Sequence, residues 1–410
     1  MSEVVNLEEL CTGIIDCPHS TPKWQDKGIP VIRNYNLKDG KIDCTNLSFV
    51  SEEGYKERVK RAIPEESDII ISREAPMGVV GIVPKGFQCC LGQRLVLLKI
   101  DKSKCLPKYL LYTLMSEYVQ LQIRRINQTG SIVSNLNISS LRELKIPLHS
   151  FEEQKKIANI LSAIDDKISL NNQINQELEA MAKVLYDYWF VQFDFPDQNG
   201  KPYKSSGGKM VYNPELKREI PEGWRVEKLD SLLKIGKETT NPMKFPNEEF
   251  KYYSIPEFDT TGTYSLERGE SIKSNKFKVE KNDLLVSKLN PWFNRVIYNL
   301  EENAISSTEF IVWRTFNRFE KNFLYQVATG KEFIEYCTRF ATGTSNSHKR
   351  VSPDIMIGFQ IPFEKTCIQK FGEIIDSIRT QVLQHNEQNQ ELTQLRDWLL
   401  PMLMNGQVKV

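Results

Sequence analysis

The sequence has almost no net charge, since 54 basic residues face 53 acidic ones over 410 positions. Bulk electrostatics therefore does not mark a nucleic-acid partner, and any such surface has to be local. No apolar run approaches the roughly 20 residues that span a bilayer, so no membrane association is expected. The opening MSEVVNLEEL has neither the basic segment nor the apolar stretch of a signal peptide, which makes the cytoplasm the expected location. Histidine is scarce, and the eight cysteines (Cys11, Cys17, Cys44, Cys89, Cys90, Cys105, Cys337, Cys367) are spaced irregularly. Together they complete no zinc pattern, so buried reduced thiols are expected and a bound metal is not. No GxxxxGK phosphate loop occurs, which excludes a P-loop ATP motor from this chain. What is present is ordinary for a globular protein, 40% hydrophobic and 26% charged. The length predicts two or more domains.

The informative feature is a repeat at an offset near 214 residues. NQELEAMAKVLYDYW from Asn175 lies over NQELTQLRDWLLPML from Asn389, and SDIIISREAPMG from Ser67 lies over NDLLVSKLNPWF from Asn282. The second match pairs Asp68 with Asp283, Ser72 with Ser287, Arg73 with Lys288 and Pro76 with Pro291. LLYTLMSEYVQLQIRRINQTGS lies over FLYQVATGKEFIEYCTRFATGT, and LKIP ending at Pro147 over FQIP ending at Pro362. Such self-similarity predicts two tandem units of one design. In each, β-branched runs (DIIIS, GVVGIV, RLVLLKI; DLLVS, RVIY, FIVWR) predict strands, and the fold class is α+β. The expected boundaries are 1–150 and 221–364 for two similar globular domains, 151–190 and 365–410 for a long helix after each, and 191–220 for an exposed connector rich in Pro, Gly, Lys and Ser.

Both helical stretches carry a seven-residue spacing. Ile157, Ile164, Asn171, Leu178 and Leu185 form one row, matched in the second copy by Phe371, Ile378, His385, Leu392 and Leu399. A companion row is read at Ile160, Lys167, Ile174, Met181 and Tyr188, matched by Ile374, Gln381, Gln388, Leu395 and Met402. The pattern predicts a seam between two long helices with a polar layer at Asn171 and His385 that fixes register. An amphipathic helix packed on its own domain is the alternative, but it gives no reason for both stripes to be interrupted at one register. Helices of about 40 residues would be ~60 Å long and could hold two domains a set distance apart.

A duplicated domain on a rod suits a target with two related parts, such as DNA with two half-sites, or a protein scaffold with two docking faces. Loop chemistry favours DNA. RRINQTGSIVSNLN offers Arg124, Arg125, Gln128, Thr129, Gly130 and Ser131, while TRFATGTSNSHKRVS offers Thr342, Gly343, Thr344, Ser345, Asn346, His348, Lys349 and Arg350. Glycine lets backbone approach closely, and such side chains reach phosphates and base edges. A second pair of stretches, CPHSTPKW with His19, Ser20, Thr21 and Lys23, and GKETTNPMKF with Lys237, Thr239 and Thr240, reads equally as contact loops or ordinary turns. Arg73 and Lys288 follow a strand in each copy, where a phosphate clamp competes with a local ion pair, for Arg73 one to Glu74.

Residues 130–190, from GSIVSNLNISSLRELKIP through EQKKIA to the aromatic cluster YDYWF, resemble the end of a target-recognition domain and the central helix of type I restriction–modification specificity subunits. DCPHSTPKW resembles the start of such a domain, and the resemblance covers essentially the whole chain. The second copy departs from it, because FEKTCIQKFG stands where the EQ-containing helix start is usual. The resemblance implies a non-catalytic subunit whose two recognition domains each read half of a split site in double-stranded DNA. It also implies antiparallel helices that set the spacing and a pseudo-twofold arrangement. The implied partners are two modification subunits, which carry S-adenosylmethionine and methylate adenine, and restriction subunits, which use ATP and Mg. No cofactor is expected on this chain itself.

Asn290-Pro291-Trp292-Phe293 also resembles the signature of amino-methyltransferases, which would make the chain the catalyst. Trp292 replaces the second proline, no glycine-rich turn for an adenosine cofactor precedes it, and the first copy reads EAPM at that place. A loop shared by both copies is the better reading. The first helical stretch, with seven acidic and four basic residues from Phe151 to Phe190, offers an acidic face to solvent or to a partner.

Overall fold

The β-branched runs of the first copy become neighbouring strands. Cys11–Asp16, Leu95–Ile100, Ile69–Ser72 and Val80–Ile82 form a four-stranded antiparallel sheet in that order. The second copy repeats it with Leu233–Gly236, Phe310–Thr315, Asp283–Ser287 and Val296–Tyr298. The computed structural model describes residues 3–74, 76–128, 135–343 and 348–408, with nothing said of the side chains of 127 and 128. The chain divides into two units, Met1–Asn172 with Asn386–Val410, and Gln173–His385.

The residues shared by the repeat are structural. Asp68 accepts from the Glu65 backbone N–H at 2.8 Å and pairs with Lys99 at 3.0 Å. Asp283 accepts from the Glu280 N–H at 2.7 Å and pairs with Arg314 at 3.1 Å. Ser72 and Ser287 are buried, and each closes the turn after its strand by accepting from a backbone N–H and donating to a carbonyl two to four residues on. The IP dipeptides lie in Lys145–Leu148, paired with Glu3–Asn6, and in Gln360–Phe363, paired with Arg225–Lys228. Fully buried residues such as Ile69, Ile71, Val96 and Leu98 in the first unit and Leu284, Val312 and Trp313 in the second make these sheets the core, each side chain contributing roughly 1.5–3 kcal/mol. Six of the eight cysteines are buried; Cys44 is exposed and Cys11 half-buried, so the expectation of buried thiols does not hold for those two.

The segment expected to be an exposed connector is ordered. Its hairpin pairs Met210–Asn213 with Arg218–Pro221, Phe193 is buried, and buried Asp194 accepts from the Ser205 hydroxyl at 2.6 Å and its N–H at 2.7 Å. Phe195 stacks between Tyr203 and Trp224 at 4.8 and 5.0 Å.

The first long helix spans Phe151–Tyr186 and the second Lys365–Met404. In the first unit Asp165 meets Arg396 at 3.0 Å, and Asn171 donates to Gln388 and Asn389 at 2.8 and 2.9 Å. In the second, Asn175 meets His385 at 2.8 Å and Glu179 meets Arg379 at 3.4 Å. Ascending numbers face descending ones, so the helices are antiparallel within each unit. Asn171 with Asn389 and His385 with Asn175 are one contact repeated at the offset of 214, a polar layer in each unit.

The companion row needs correction. Residues buried beside Ile157, Ile164 and Asn171 are Gln154, Leu161, Asn175, Ala182 and Trp189, and in the second helix Ile368, Ile375, Val382 and Leu403. The inner row is therefore displaced by one residue from Ile160, Lys167, Ile174, Met181 and Tyr188. Met181, Tyr188, Ile374 and Leu395 instead face solvent, 58%, 36%, 43% and 43% exposed. Spacings of 3 and 4 both suit a heptad, and apolar residues occupy both faces, one turned into the seam and one outward. No helix among the described residues is long and apolar enough to cross a membrane.

Candidate nucleic-acid interface

In the first unit, the stretch from Asp16 to Trp24 is held from below by arginine. Buried Arg58 donates to the carbonyls of Leu91 at 2.7 Å, Ser20 at 3.1 Å and Pro18 at 3.2 Å. Its desolvation opposes the charge and lowers its pKa from the ordinary value, and the carbonyl dipoles compensate. Arg61 adds a bond to the Asp16 carbonyl at 3.2 Å, and Gln93 donates to that of His19. Ser20, Thr21 and Lys23 are left exposed on a fixed backbone, with His19 beside Asp16 at 3.1 Å.

Arg73 is held in place by its neighbours. Its guanidinium donates to Asp16 at 2.8 Å, to the Leu136 carbonyl at 3.0 Å and to Asn135 at 3.2 Å. The local ion pair is formed, and its partner is Asp16; Glu74 pairs with Arg94 at 3.0 Å instead. Arg124 pairs with Glu117, and Arg125 is exposed near the end of helix Glu117–Gln128. The Gln128 side chain and Thr129, Gly130 and Ser131 lie outside the described residues.

In the second unit, Asn290 builds the floor of the corresponding loop. It adopts φ +48°, donates its N–H to the Lys349 carbonyl at 2.8 Å, and accepts the Lys349 N–H on its side chain at 3.0 Å. Thr342 and Arg350 exchange backbone bonds at 2.9 and 2.8 Å, closing the loop at its neck. Gly343 is required there, because a Cβ would come within 2.5 Å of the His348 carbonyl oxygen. Arg350 forms a two-point pair with Glu309 at 2.9 and 3.0 Å, and this carboxylate raises its pKa. The Asn290 carboxamide thus serves the loop's backbone, and Trp292 and Phe293 beside it are exposed, with Arg295 4.5 Å over the Phe293 ring. Lys288 is half-buried and its backbone bonds Glu309 and Val351. Thr342 and His348 are exposed and Lys349 half-buried; Thr344, Ser345 and Asn346 lie outside the described residues.

GKETTNPMKF is not a plain loop. Thr239–Thr240 is the edge strand of a five-stranded sheet, paired with Lys276 and Phe277, and Asn241 caps the turn Pro242–Lys244. Lys237 is exposed just before it. Among the described residues Lys23, Lys237, Lys288 and Lys349 have no ion pair, whereas Arg73, Arg124 and Arg350 do. Those four lysines are suited to phosphates as point charges. Arg58, which shapes the first loop, bears no signal in the sequence, whereas Asn290, which shapes the second, falls in the Asn290-Pro291-Trp292-Phe293 stretch read as a loop.

Residues 2–180 match the family described as type I restriction modification DNA specificity domain. The type I restriction enzyme MjaIX specificity subunit of Methanocaldococcus jannaschii is 27% identical over 380 residues, covering 88% of this chain and 82% of that protein. The HindI specificity subunit of Haemophilus influenzae is 24% identical over 376 residues, 74% and 78% of the two chains. A solved type I restriction–modification S subunit from M. genitalium superposes with a TM-score of 0.57 at 17% identity, covering 98% of this chain and 96% of that one. That superposition is a likeness of fold.

Proposed function

Because the chain belongs with the specificity subunits of type I restriction–modification systems, we propose that its domains at 1–150 and 221–364 each read one half of a split site in double-stranded DNA. On this reading the chain is non-catalytic. The observation that carries it is that both copies build the same Asp- and Ser-anchored strand, whose next residue, Arg73 or Lys288, accepts a backbone bond from Leu136 or Val351, while the ion pairs beside it differ: Arg73 to Asp16 in one, Arg350 to Glu309 in the other. One scaffold with two loop chemistries suits two unequal half-sites. The antiparallel helices, 151–190 and 365–410, set the distance between them.

The outward apolar faces support two docking sites for one kind of partner. Met181, Val184, Tyr188 and Ile374 line a groove of about 490 Å³ in the second unit. Leu395 and Trp398, equivalent to Met181 and Val184 at the offset of 214, are likewise exposed in the first. Contiguous exposed apolar side chains mark interaction surfaces, and their duplication fits two modification subunits. Those subunits supply S-adenosylmethionine and the methyl transfer to adenine, and restriction subunits supply ATP and Mg chemistry, all in the cytoplasm. The cost of flipping the target base, a few kcal/mol, falls on the whole assembly.

The test is a selection from randomised duplex DNA by the chain assembled with its modification subunits. An enriched motif in two parts with a fixed gap is expected. Loss of all enrichment, with partner assembly intact, would favour the two-headed protein scaffold.

A further inference from the structure

The first unit contains a cleft of about 430 Å³ between the loop at Thr21–Trp24, the turn at Arg33–Tyr35 and the residues Gln93 and Arg94. At its mouth lies an arginine that the loop chemistry above does not use. The Arg33 guanidinium carbon is 5.3 Å from the Trp24 ring centroid and 4.9 Å from that of Tyr35. Its Nη1 is 3.4 Å from the Tyr35 hydroxyl, which in turn meets the Ser48 hydroxyl at 3.3 Å. Trp24 and Tyr35 are 44% and 49% exposed.

The backbone beneath is fixed. Asn36, almost wholly buried, accepts the Arg33 N–H on its side chain at 3.0 Å and donates to the carbonyls of Asp43 and Asn46 at 3.1 and 3.0 Å. The opposite wall is tied by Asn34 donating to the Glu74 carbonyl at 2.6 Å and by the Arg94–Glu74 pair. At the base, Gly92 approaches strand Ile29–Ile32 so closely that a Cβ would lie 2.8 Å from the Ile32 carbonyl oxygen.

Among the described residues Arg33 pairs with no carboxylate, whereas Arg73, Arg94 and Arg124 each have one; it is held by the Trp24 and Tyr35 rings and donates to the Tyr35 hydroxyl. Apart from the Nη1 donor turned to the Tyr35 hydroxyl, contact with ring faces leaves the in-plane N–H groups available, and a planar fork of donors matches a pair of acceptors. The O6 and N7 atoms of guanine in the major groove are such a pair, and arginine bound to both is the commonest base-specific contact. Resting on the DNA reading above, we propose that Arg33 is a specificity-determining residue of the first unit. It reads a guanine, and Trp24 and Tyr35 fix the plane of its guanidinium.

The experiment uses the full chain assembled with its modification subunits and a duplex pool randomised in both halves. Arg33→Ala is expected to lower discrimination for guanine at one position of one half-site by roughly 5- to 150-fold, with the other half-site unchanged as an internal control of folding. Arg33→Lys should fail to restore it, and Trp24→Ala and Tyr35→Ala should weaken the same position. The proposal is overturned if Arg33→Ala leaves the motif intact. It is equally overturned if that change weakens all sequences alike, flattens the salt dependence and is rescued by Lys, the behaviour of a phosphate contact. Absence of any split motif with the unaltered protein would instead sink the DNA reading, and this proposal with it.

Discussion

The Tyr112 hydroxyl donates a 2.6 Å hydrogen bond to Asp165 in the first unit. At the equivalent places in the second unit, the Arg379 guanidinium lies 4.3 Å over the Tyr325 ring. The tyrosine is kept, and the charge facing it is reversed. Each charge then takes an opposite partner from the antiparallel helix, Arg396 for Asp165 and Glu179 for Arg379. The two units thus share a geometry without sharing an electrostatic solution.

Asp165 and Arg396 are both largely buried, at 11% and 14% side-chain exposure. Removing Asp165 leaves Arg396 with only the exposed Asp397 and the Tyr112 hydroxyl without its acceptor, and breaking such a pair is costly. Asp165→Ala is expected to lower stability by about 3 kcal/mol, and Asp165→Leu combined with Arg396→Met to recover much of it, read from denaturant midpoints. Equal losses in the single and double variants would count against the pair.

Lys321 supplies a pH dependence. Burial pushes its pKa down from 10.5 to about 7, against the opposing pull of Asp283, while its ammonium donates to the Lys281 carbonyl at 2.9 Å and sits 3.8 Å over Tyr298. The unfolded chain binds this proton below about pH 10.4 and the folded chain only below about 7, so stability rises with pH across that window. Lys321→Met should lack this contribution: the difference in stability between wild type and variant changes between pH 7 and 10 and is flat below 7. A difference that stays constant across the window would show that Lys321 remains charged.

For the recognition loops, Lys349→Ala should weaken binding to all duplexes and reduce the salt slope by about 1, whereas replacing Gln128 or Asn346 should change base preference by ~1–3 kcal/mol. Arg125→Ala should behave like Lys349→Ala. Arg73→Ala should instead lower stability, because Arg73 braces Asp16 and Leu136. A salt-slope change for Arg73→Ala without destabilisation would restore the phosphate clamp.

The outward faces can be separated from DNA binding. Val184→Asp should remove one modification subunit from the complex and Trp398→Asp the other, detectable as mass by native spectrometry. Unchanged stoichiometry in both would place docking elsewhere.

The spacing role is tested by inserting one heptad into each long helix, after Asn172 and after His385, so that the pairing rows are retained. The rods lengthen by ~10 Å, about three base pairs of rise. A selected motif with its original gap would rule out a ruler.

Periodicity and repetition made the sheet strands, both long helices and their polar layer legible, because buried strands need β-branched runs and a seam needs a heptad. The inner companion row was not legible. Ile160 and Leu161, or Met181 and Ala182, are adjacent apolar pairs, and only the partner helix decides which of each turns inward. In the candidate interface the loop chemistry was legible but the ion-pair partners were not. Asp16 and Glu309, the carboxylates that pair with Arg73 and Arg350, are distant from them in sequence. The environment of Arg33 was not legible either, because Trp24 reaches it only after the strand Ile29–Ile32 between them has folded.

The first unit's discontinuity carries a consequence in time. Leu400, Leu403 and Met404 belong to the same core cluster as Leu7, Leu10 and Tyr109, whereas the second unit is one unbroken stretch, Gln173–His385. At ribosomal speeds of 5–20 residues per second, roughly 10–45 s separate Asn172 from the residues that complete the first core. The part translated first is the part finished last, and until then its apolar surface is open to chaperones.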